Sequence, residues 1–336
     1  MNMIRCAKRS DRDQLYQLAK HLDTVNLPAD NARLEAMLVD SERQLAGSDQ
    51  PDEAMIFVLE DASGALRGSA TIIARHGSPQ APHCFFDVID EERYSPRLDQ
   101  VFQHKVLRLG TSFIPRTEIG GLVLDPALRG RGLGRFLSLC RFQFIAAYRD
   151  RFCDHILAEL LPPFDADGNS PLWNALGQRF TGLTYREADH LSGQEKEFIE
   201  DLFPRSDLHV SLFSPKTQAV IETVGDETQG ALRLLQEQGF YYTRRIDPFD
   251  GGPHYRAVTD EVTAVATTRS LRARVGDGTE RAIVGVPTDD ARGFRCCLAS
   301  VTCQGMQVYL SANALERLGV SKGGELLVTP LGTSPT

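Results

Sequence analysis

The chain has 336 residues, 42% hydrophobic and 24% charged, enough apolar surface to build a core without disulfide or metal staples. A formal net charge of -8 excludes a broad nucleic-acid or anionic-membrane footprint, so neither partner is expected. Seven scattered cysteines without C-x-x-C pairs read as reduced thiols, no apolar run has the length of a bilayer crossing, and the N-terminus lacks a leader-like segment, so a cytoplasmic address is expected.

Met3 to Cys6 reads as a strand, and Ser10-Asp11 caps a helix with Leu15, Leu18, Ala19 and Leu22 on one face. Leu27-Pro28 breaks the chain before a second helical pattern from Asn31 to Leu45. Met55 to Glu60 and Leu66 to Ala74 flank the turn residues Asp61-Ala-Ser-Gly64 and predict a hairpin. Gly77 to Arg116 carries only weak signals. Glu118 to Leu124 is a compact strand stopped by Asp125-Pro126, and Leu133 to Tyr148 is a helix with Phe136, Leu137, Cys140, Phe144 and Ala147 on a common face. A buried-type strand follows at His155 to Leu160, and Ser170-Pro171 is a helix start running through Trp173 and Leu176. Helical patterns recur at Gln194 to Leu202, Pro215 to Val224 and Thr228 to Gln238; Gly239 ends the last before the strand Phe240 to Ile246. After the loop Phe249-Asp-Gly-Gly-Pro253 the tail is mostly short strands, with one helix near Ala312 to Leu318.

The turn between Leu124 and Phe136 has glycines at 130, 132 and 134, which fits neither the G-x-G-x-x-G spacing of a dinucleotide site nor the G-x-x-x-x-G-K-[ST] of a Walker loop. What it offers is the start of a long helix, where backbone N–H groups lack intrahelical partners and glycines let a diphosphate come close. Arg129, Arg131 and Arg135 add charge-assisted contacts. The eight histidines show no H-x-x-x-H spacing, so no metal is expected.

The Arg129-x-x-Gly132-x-Gly134 arrangement resembles the pyrophosphate loop of GCN5-related N-acyltransferases. Ser170-Pro-Leu-Trp173 with the residues through Phe180, Ala146-Ala-Tyr148 through Phe152, Ala158-Glu159, Ala188-Asp189, Phe249-Asp-Gly-Gly-Pro253, Leu27-Pro28 and the opening Ile4-Arg5 with Arg9-Ser10-Asp11 resemble the arginine N-succinyltransferase family. This resemblance covers residues 1–255 and weakens over the β-rich portion 256–336. It implies a mixed α/β fold with a GCN5-related core, a mostly antiparallel central sheet flanked by helices, and a β-rich C-terminal part.

The resemblance further implies succinyl transfer from succinyl-CoA to the α-amino group of arginine in arginine catabolism, by direct attack and with no permanently bound cofactor. Acyl-CoA and arginine or a similar amine are the expected partners, and a homodimer or paired-subunit assembly is the expected state. The carrier would lie along Leu122, Val123, Leu124, Arg129, Gly130, Arg131, Gly132, Leu133, Gly134 and Arg135. Leu122 matches the family's acyl-CoA contact, made through backbone groups of a strand that parts from its neighbour.

Amine acylation needs a base, because an ammonium cannot attack a thioester. Glu118, at the start of that strand, is the candidate. The family's proton donor is a histidine after a helix matching Ile221-Glu-Thr-Val224, yet this chain has Gly225 there; Asp226, Glu227 and His254 are chemical substitutes, with Asp226 and His254 carried forward. Leu161-Pro162-Pro163 likewise replaces a turn that contains arginine in the family. These departures leave open another amine, acetyl-CoA as donor, or a non-catalytic coenzyme A-binding protein.

Overall fold

The computed structural model describes residues 2–22, 27–48, 50, 53–79, 82–192, 197–288 and 293–332. These fall into two compact units, the first drawn from residues 1–74, 117–154 and 258–336, the second from 75–116 and 155–257.

The first unit opens with strand β1 (Met3–Cys6), helix α1 (Arg12–Leu22) and helix α2 (Asn31–Leu45). Asp30 caps α2, its side chain accepting from Arg33 N–H at 2.8 Å. Strands β2 (Ala54–Glu60) and β3 (Leu66–His76) form the expected hairpin. Its turn is held by Asp61, which accepts from the N–H groups of Ser63 (2.8 Å) and Ala65 (3.2 Å) and from Arg67 Nε (2.7 Å). Leu15, Leu34 and Leu38 from the helices are fully buried against Ile56 and Val58, each worth about 1.5–3 kcal/mol relative to exposure. The Leu22 side chain lies outside the described residues.

In the second unit, strands β4 (His83–Ser95) and β5 (Gln100–Ser112) pair antiparallel along their whole length, from His83↔Ser112 to Ser95↔Gln100. The weak sequence signal over 77–116 thus conceals a long hairpin. Its distal half is solvent-exposed and mostly polar, so it lacks the one-sided apolar alternation that marks a strand packed on a core.

The chain returns to the first unit through β6 (Arg116–Leu124) and helix α3 (Leu133–Ala147). The sequence assigns α3 a single apolar face, but it is buried all round from Phe136 to Ile145. Polar Gln143 fits there because its Nε2 donates to Ile283 O (3.0 Å) and Thr329 Oγ1 (2.8 Å).

The second unit resumes with β7 (His155–Glu159), the short helix α4 (Pro171–Ala175), β8 (Leu208–His209), β9 (Tyr241–Ile246) and β10 (Pro253–Val258). Its strand order is β7-β10-β9-β4-β5-β8. The helix read from Gln194 is described from Glu197 to Leu202, and its first residues lie outside the described ones. The helix read from Pro215 to Val224 stops at Val220, because Ile221 is extended and Glu222 adopts a φ of +63°.

The family-like motifs of this unit prove to be one packing arrangement. Ser170 caps α4 and its hydroxyl donates to Phe249 O at 2.9 Å, while Trp173 stacks on Phe249 with ring centroids 4.9 Å apart and 8° between planes. Gly252 is required because a Cβ there would lie 2.2 Å from Leu160 O.

The first unit ends with β11 (Arg269–Val275), β12 (Glu280–Pro287), β13 (Phe294–Gln304), β14 (Gln307–Leu310) and β15 (Glu325–Pro330). They follow the order β12-β15-β11-β14-β13, and β12 also pairs with β13, closing a five-stranded barrel. Every pairing in it is antiparallel except β11 with β14. Leu271, Val284, Val301 and Leu315 fill its core. The sheet of this unit then runs on through β13-β1-β2-β3-β6. The fold is thus mixed α/β with largely antiparallel sheets, as expected.

Candidate functional site

Strand β6 carries four of the predicted positions, Glu118, Leu122, Val123 and Leu124, and is interrupted in its middle. Gly121 adopts a φ of +54°, inside the left-handed region, and a Cβ on it would lie 2.8 Å from the Thr71 side chain. A glycine in that conformation within a strand turns its backbone groups out of the regular ladder. On one side of the kink the guanidinium of Arg141 in α3 donates to Gly120 O at 3.0 Å and to Ser138 O and Oγ at 3.2 and 3.0 Å. Arg141 is buried, with no carboxylate on it among the described residues, and burial pushes its pKa down to about 10.

A Cβ placed on Gly120 would lie in ordinary contact, 3.5 Å from Thr71 Oγ1 and 3.8 Å from Glu118 Oε1. Glu118, half-buried, therefore brings its carboxylate beside the kink. Leu122 and Leu124 are half-buried and Val123 is buried.

Beyond β6 the chain turns sharply. Asp125 accepts from Ala127 N–H at 3.0 Å and pairs with Arg67 at 3.4 Å, so the only acidic group of the turn is engaged within the chain. Gly130 and Gly132 have φ of +76° and +77°, and a Cβ on either would meet nothing within 4 Å; conformation, not space, demands glycine there. Gly132 caps α3 without a side chain, and the first intrahelical bond joins Phe136 N–H to its carbonyl at 3.0 Å. The amides of Leu133, Gly134 and Arg135 thus precede any i to i−4 partner.

Gly134 is different in kind. Its Cβ would make only an ordinary 3.7 Å contact with Leu124 Cδ2, and its φ is not positive, so neither the backbone nor the chain's own packing requires glycine. Arg129 and Arg131 are exposed, whereas Arg135 is half-buried and donates to Leu331 O at 3.4 Å.

The remaining predicted residues lie in the second unit, in two different settings. Asp226 is exposed and opens a 3-10 turn, Asp226–Thr228. The Gly225 before it donates its N–H to Leu161 O at 2.9 Å, and a Cβ on Gly225 would sit 3.0 Å from Pro162 O. His254 is fully buried, and its pKa is pushed down to about 3 by desolvation first and then by His76, Arg245 and Arg116, so it is uncharged at neutral pH.

Sequence spacing gave no hint of what surrounds His254. His76 Nε2 and His83 Nδ1 are 2.8 Å apart, Glu159 Oε1 lies 3.6 Å from His83 Nδ1 and 3.5 Å from His254 Nε2, and Asp247 joins Glu159 and His254 within 4.8 Å. These residues come from three stretches far apart in the chain, 76–83, 159 and 247–254, and converge only in the fold, so no short window reveals the cluster.

The chain matches the arginine N-succinyltransferase beta subunit family over residues 2–264. It is 31% identical to the arginine N-succinyltransferase of Photorhabdus laumondii over 339 residues and 31% identical to that of Escherichia coli strain 55989 over 338, covering 98% of both chains in each case. Its fold superposes on arginine/ornithine succinyltransferase subunit AI from Pseudomonas aeruginosa with a TM-score of 0.85 and 28% identity, over 99% of each chain. Among the described residues no helix is long and apolar enough to cross a membrane. A barrel-ended, mostly antiparallel fold, a kinked strand leading into an uncapped helix start, and likeness over nearly the full length agree in one assignment: the chain belongs to the arginine N-succinyltransferase family, whose members are acyl-CoA-dependent N-acyltransferases.

Proposed function

We propose that the protein transfers the succinyl group of succinyl-CoA to the α-amino group of arginine. The observation that carries this reading is the full-length likeness to arginine N-succinyltransferases, joined to a helix start with open amides and adjacent arginines in the first unit. The diphosphate would rest on the amides of Leu133, Gly134 and Arg135 beside Arg129 and Arg131. The pantetheine arm would run along Leu122 to Leu124, where the kink at Gly121 turns backbone donors and acceptors outward.

In the transfer the neutral amine nitrogen attacks the thioester carbonyl carbon. The resulting oxyanion collapses, the C–S bond breaks, and coenzyme A leaves as thiolate. Glu118, whose carboxylate lies beside Gly120, accepts the ammonium proton that must be lost for attack. Asp226 is exposed and His254 is sealed and uncharged, and both belong to the second unit. We assign protonation of the departing thiolate to solvent. A homodimer or paired-subunit assembly and a cytoplasmic address complete the proposal.

Thiol release measured with succinyl-CoA and acetyl-CoA against arginine, ornithine and other amines tests it. The expected result is the highest kcat/KM for succinyl-CoA with arginine, with Glu118→Gln lowering kcat by about 10²–10⁴-fold. A preference for acetyl-CoA or another amine would move the substrate assignment, which Gly225 and Leu161-Pro162-Pro163 leave sensitive. Coenzyme A binding without turnover on any amine would refute the enzyme.

A further inference from the structure

The histidine cluster of the second unit takes no part in the proposed acyl transfer, and its arrangement has chemistry of its own. Four separate strands contribute: His76 ends β3, His83 begins β4, Glu159 ends β7 and His254 is the second residue of β10. His76 and His83 are each 4% exposed and His254 is 0% exposed. Burying three imidazoles around one carboxylate is costly unless their nitrogens are used. His76 and His83 are directed at each other, but neither nitrogen of His254 has a hydrogen-bond partner. Leaving such a group unpaired costs about 1–3 kcal/mol. Its Nε2 points at Glu159 Oε1, 3.5 Å away.

We propose that this cluster is a site for one divalent transition-metal ion of the zinc class, held by His76 Nε2, His83 Nδ1 and a Glu159 oxygen, which lie within 4.8 Å of one another, with His254 Nε2, 3.5 Å from that Glu159 oxygen, drawn in as the fourth ligand. Imidazole with one carboxylate is the donor set that suits zinc and its first-row neighbours. A tetrahedral ion at ligand distances near 2.1 Å holds its ligand atoms about 3.4 Å apart. The 3.5 and 3.6 Å spacings to Glu159 meet this requirement as they stand, the 2.8 Å between His76 and His83 requires a small opening, and His254 Nε2, not within 4.8 Å of both other imidazole nitrogens, has to move inward on binding.

Two guanidiniums, Arg116 and Arg245, raise the potential near His254. Arg245 is itself paired with Asp87 at 3.0 Å and lies 3.7 Å over the Phe85 ring, and Asp247 adds a second carboxylate within 4.8 Å of Glu159 and His254. The ion would pin the ends of four strands drawn from three distant stretches of the chain, a staple for this unit. The proposal does not depend on the acyl-transfer reading.

The test uses the full chain, stripped with a chelator, confirmed metal-free and titrated with zinc against a competing chromophoric chelator. One zinc per chain is expected, with a rise in Tm on binding. Glu159→Gln and His254→Gln should each weaken zinc affinity at least tenfold. Cobalt(II) bound to the unmutated chain gives a readout that does not depend on the variants folding. It should show the intense visible bands of a tetrahedral nitrogen–oxygen site, without the thiolate charge-transfer band that the exposed Cys303 would produce. The proposal is overturned if the stripped wild-type chain binds zinc no tighter than the Glu159→Gln/His254→Gln double variant, or if cobalt reports thiolate or six-coordinate ligation. An ordered water bridging His254 to Glu159 in a crystal grown with excess zinc would overturn it equally.

Discussion

Replacing Gly134 by alanine separates two roles that glycine plays in the loop. At this second position of α3 the new methyl group meets only Leu124 Cδ2 at 3.7 Å, so the fold has room for it. Alanine also loses less conformational freedom than glycine on entering a helix, which stabilises by about 0.4–1 kcal/mol where the backbone is compatible. For a protein of this size that is a rise in Tm on the order of 2 °C. The same methyl stands beside the open amides on which the diphosphate is proposed to rest. A charge-assisted hydrogen bond contributes about 1.5–3 kcal/mol, and weakening one of them by half that amount lowers affinity about tenfold, since 1.4 kcal/mol is a factor of ten.

Gly134→Ala should therefore melt slightly higher and bind coenzyme A about tenfold more weakly. Thermal melts without ligand and calorimetric titration with coenzyme A measure the two effects separately. Gly132→Ala is the contrast, because its φ of +77° costs an alanine about 1–2 kcal/mol; both stability and binding should fall. If Gly134→Ala binds coenzyme A as tightly as the wild type, the diphosphate does not sit on this helix start and the carrier site must be sought elsewhere.

Ser170→Ala removes both the α4 cap and the bond to Phe249 O; it should cost about 1–2 kcal/mol in stability and leave KM for both substrates within twofold, and a large rise in KM would return the Ser-Pro-Leu-Trp motif to the active site. Asp61 is held below the ordinary carboxyl range by Ser63 Oγ–H first, then by Arg67 and the Ser63 N–H. Its stabilisation is thus complete above the unfolded carboxyl value of 3.8 and is lost as pH falls through the folded value. The difference in Tm between wild type and Asp61→Asn should accordingly shrink from about pH 5 to pH 2; a constant difference over that range would mean that the carboxylate charge contributes nothing to the turn. Gly225→His, which restores the family's residue, should lower stability by about 1–3 kcal/mol without raising kcat, and a gain in turnover at unchanged Tm would reverse that expectation.

What was legible in the sequence is what local chemistry determines. The hairpin around Asp61 and Gly64, the strand ending at Asp125-Pro126, the glycine turn and helix α3 each announce themselves within a dozen residues, through turn-forming side chains or apolar periodicity. The barrel closure was not legible, because β12 must pair with both β13 and β15 and β11 must run parallel to β14, pairings that no short window encodes. Nor does composition mark the points near residues 74, 116 and 154 where the chain passes from one unit to the other. His76, His83, Glu159 and His254 are the extreme case, since each reads alone as an ordinary strand-end residue.

Gly225 and Leu161-Pro162-Pro163 appear in the sequence as two unrelated departures from the family pattern, more than sixty positions apart. In the fold they are one feature. Gly225 donates its N–H to Leu161 O, and the space a Cβ would need at 225 is occupied by the Pro162 carbonyl, 3.0 Å away. A side chain at 225 is tight against the 161–163 turn, which has to give by a few tenths of an ångström to admit one. The two positions are therefore coupled in the fold, and a double exchange that also rebuilds 161–163 has more room to succeed than Gly225→His alone. Position 225 carries no side chain, so proton transfer to sulfur in this chain has to come from groups other than the one there.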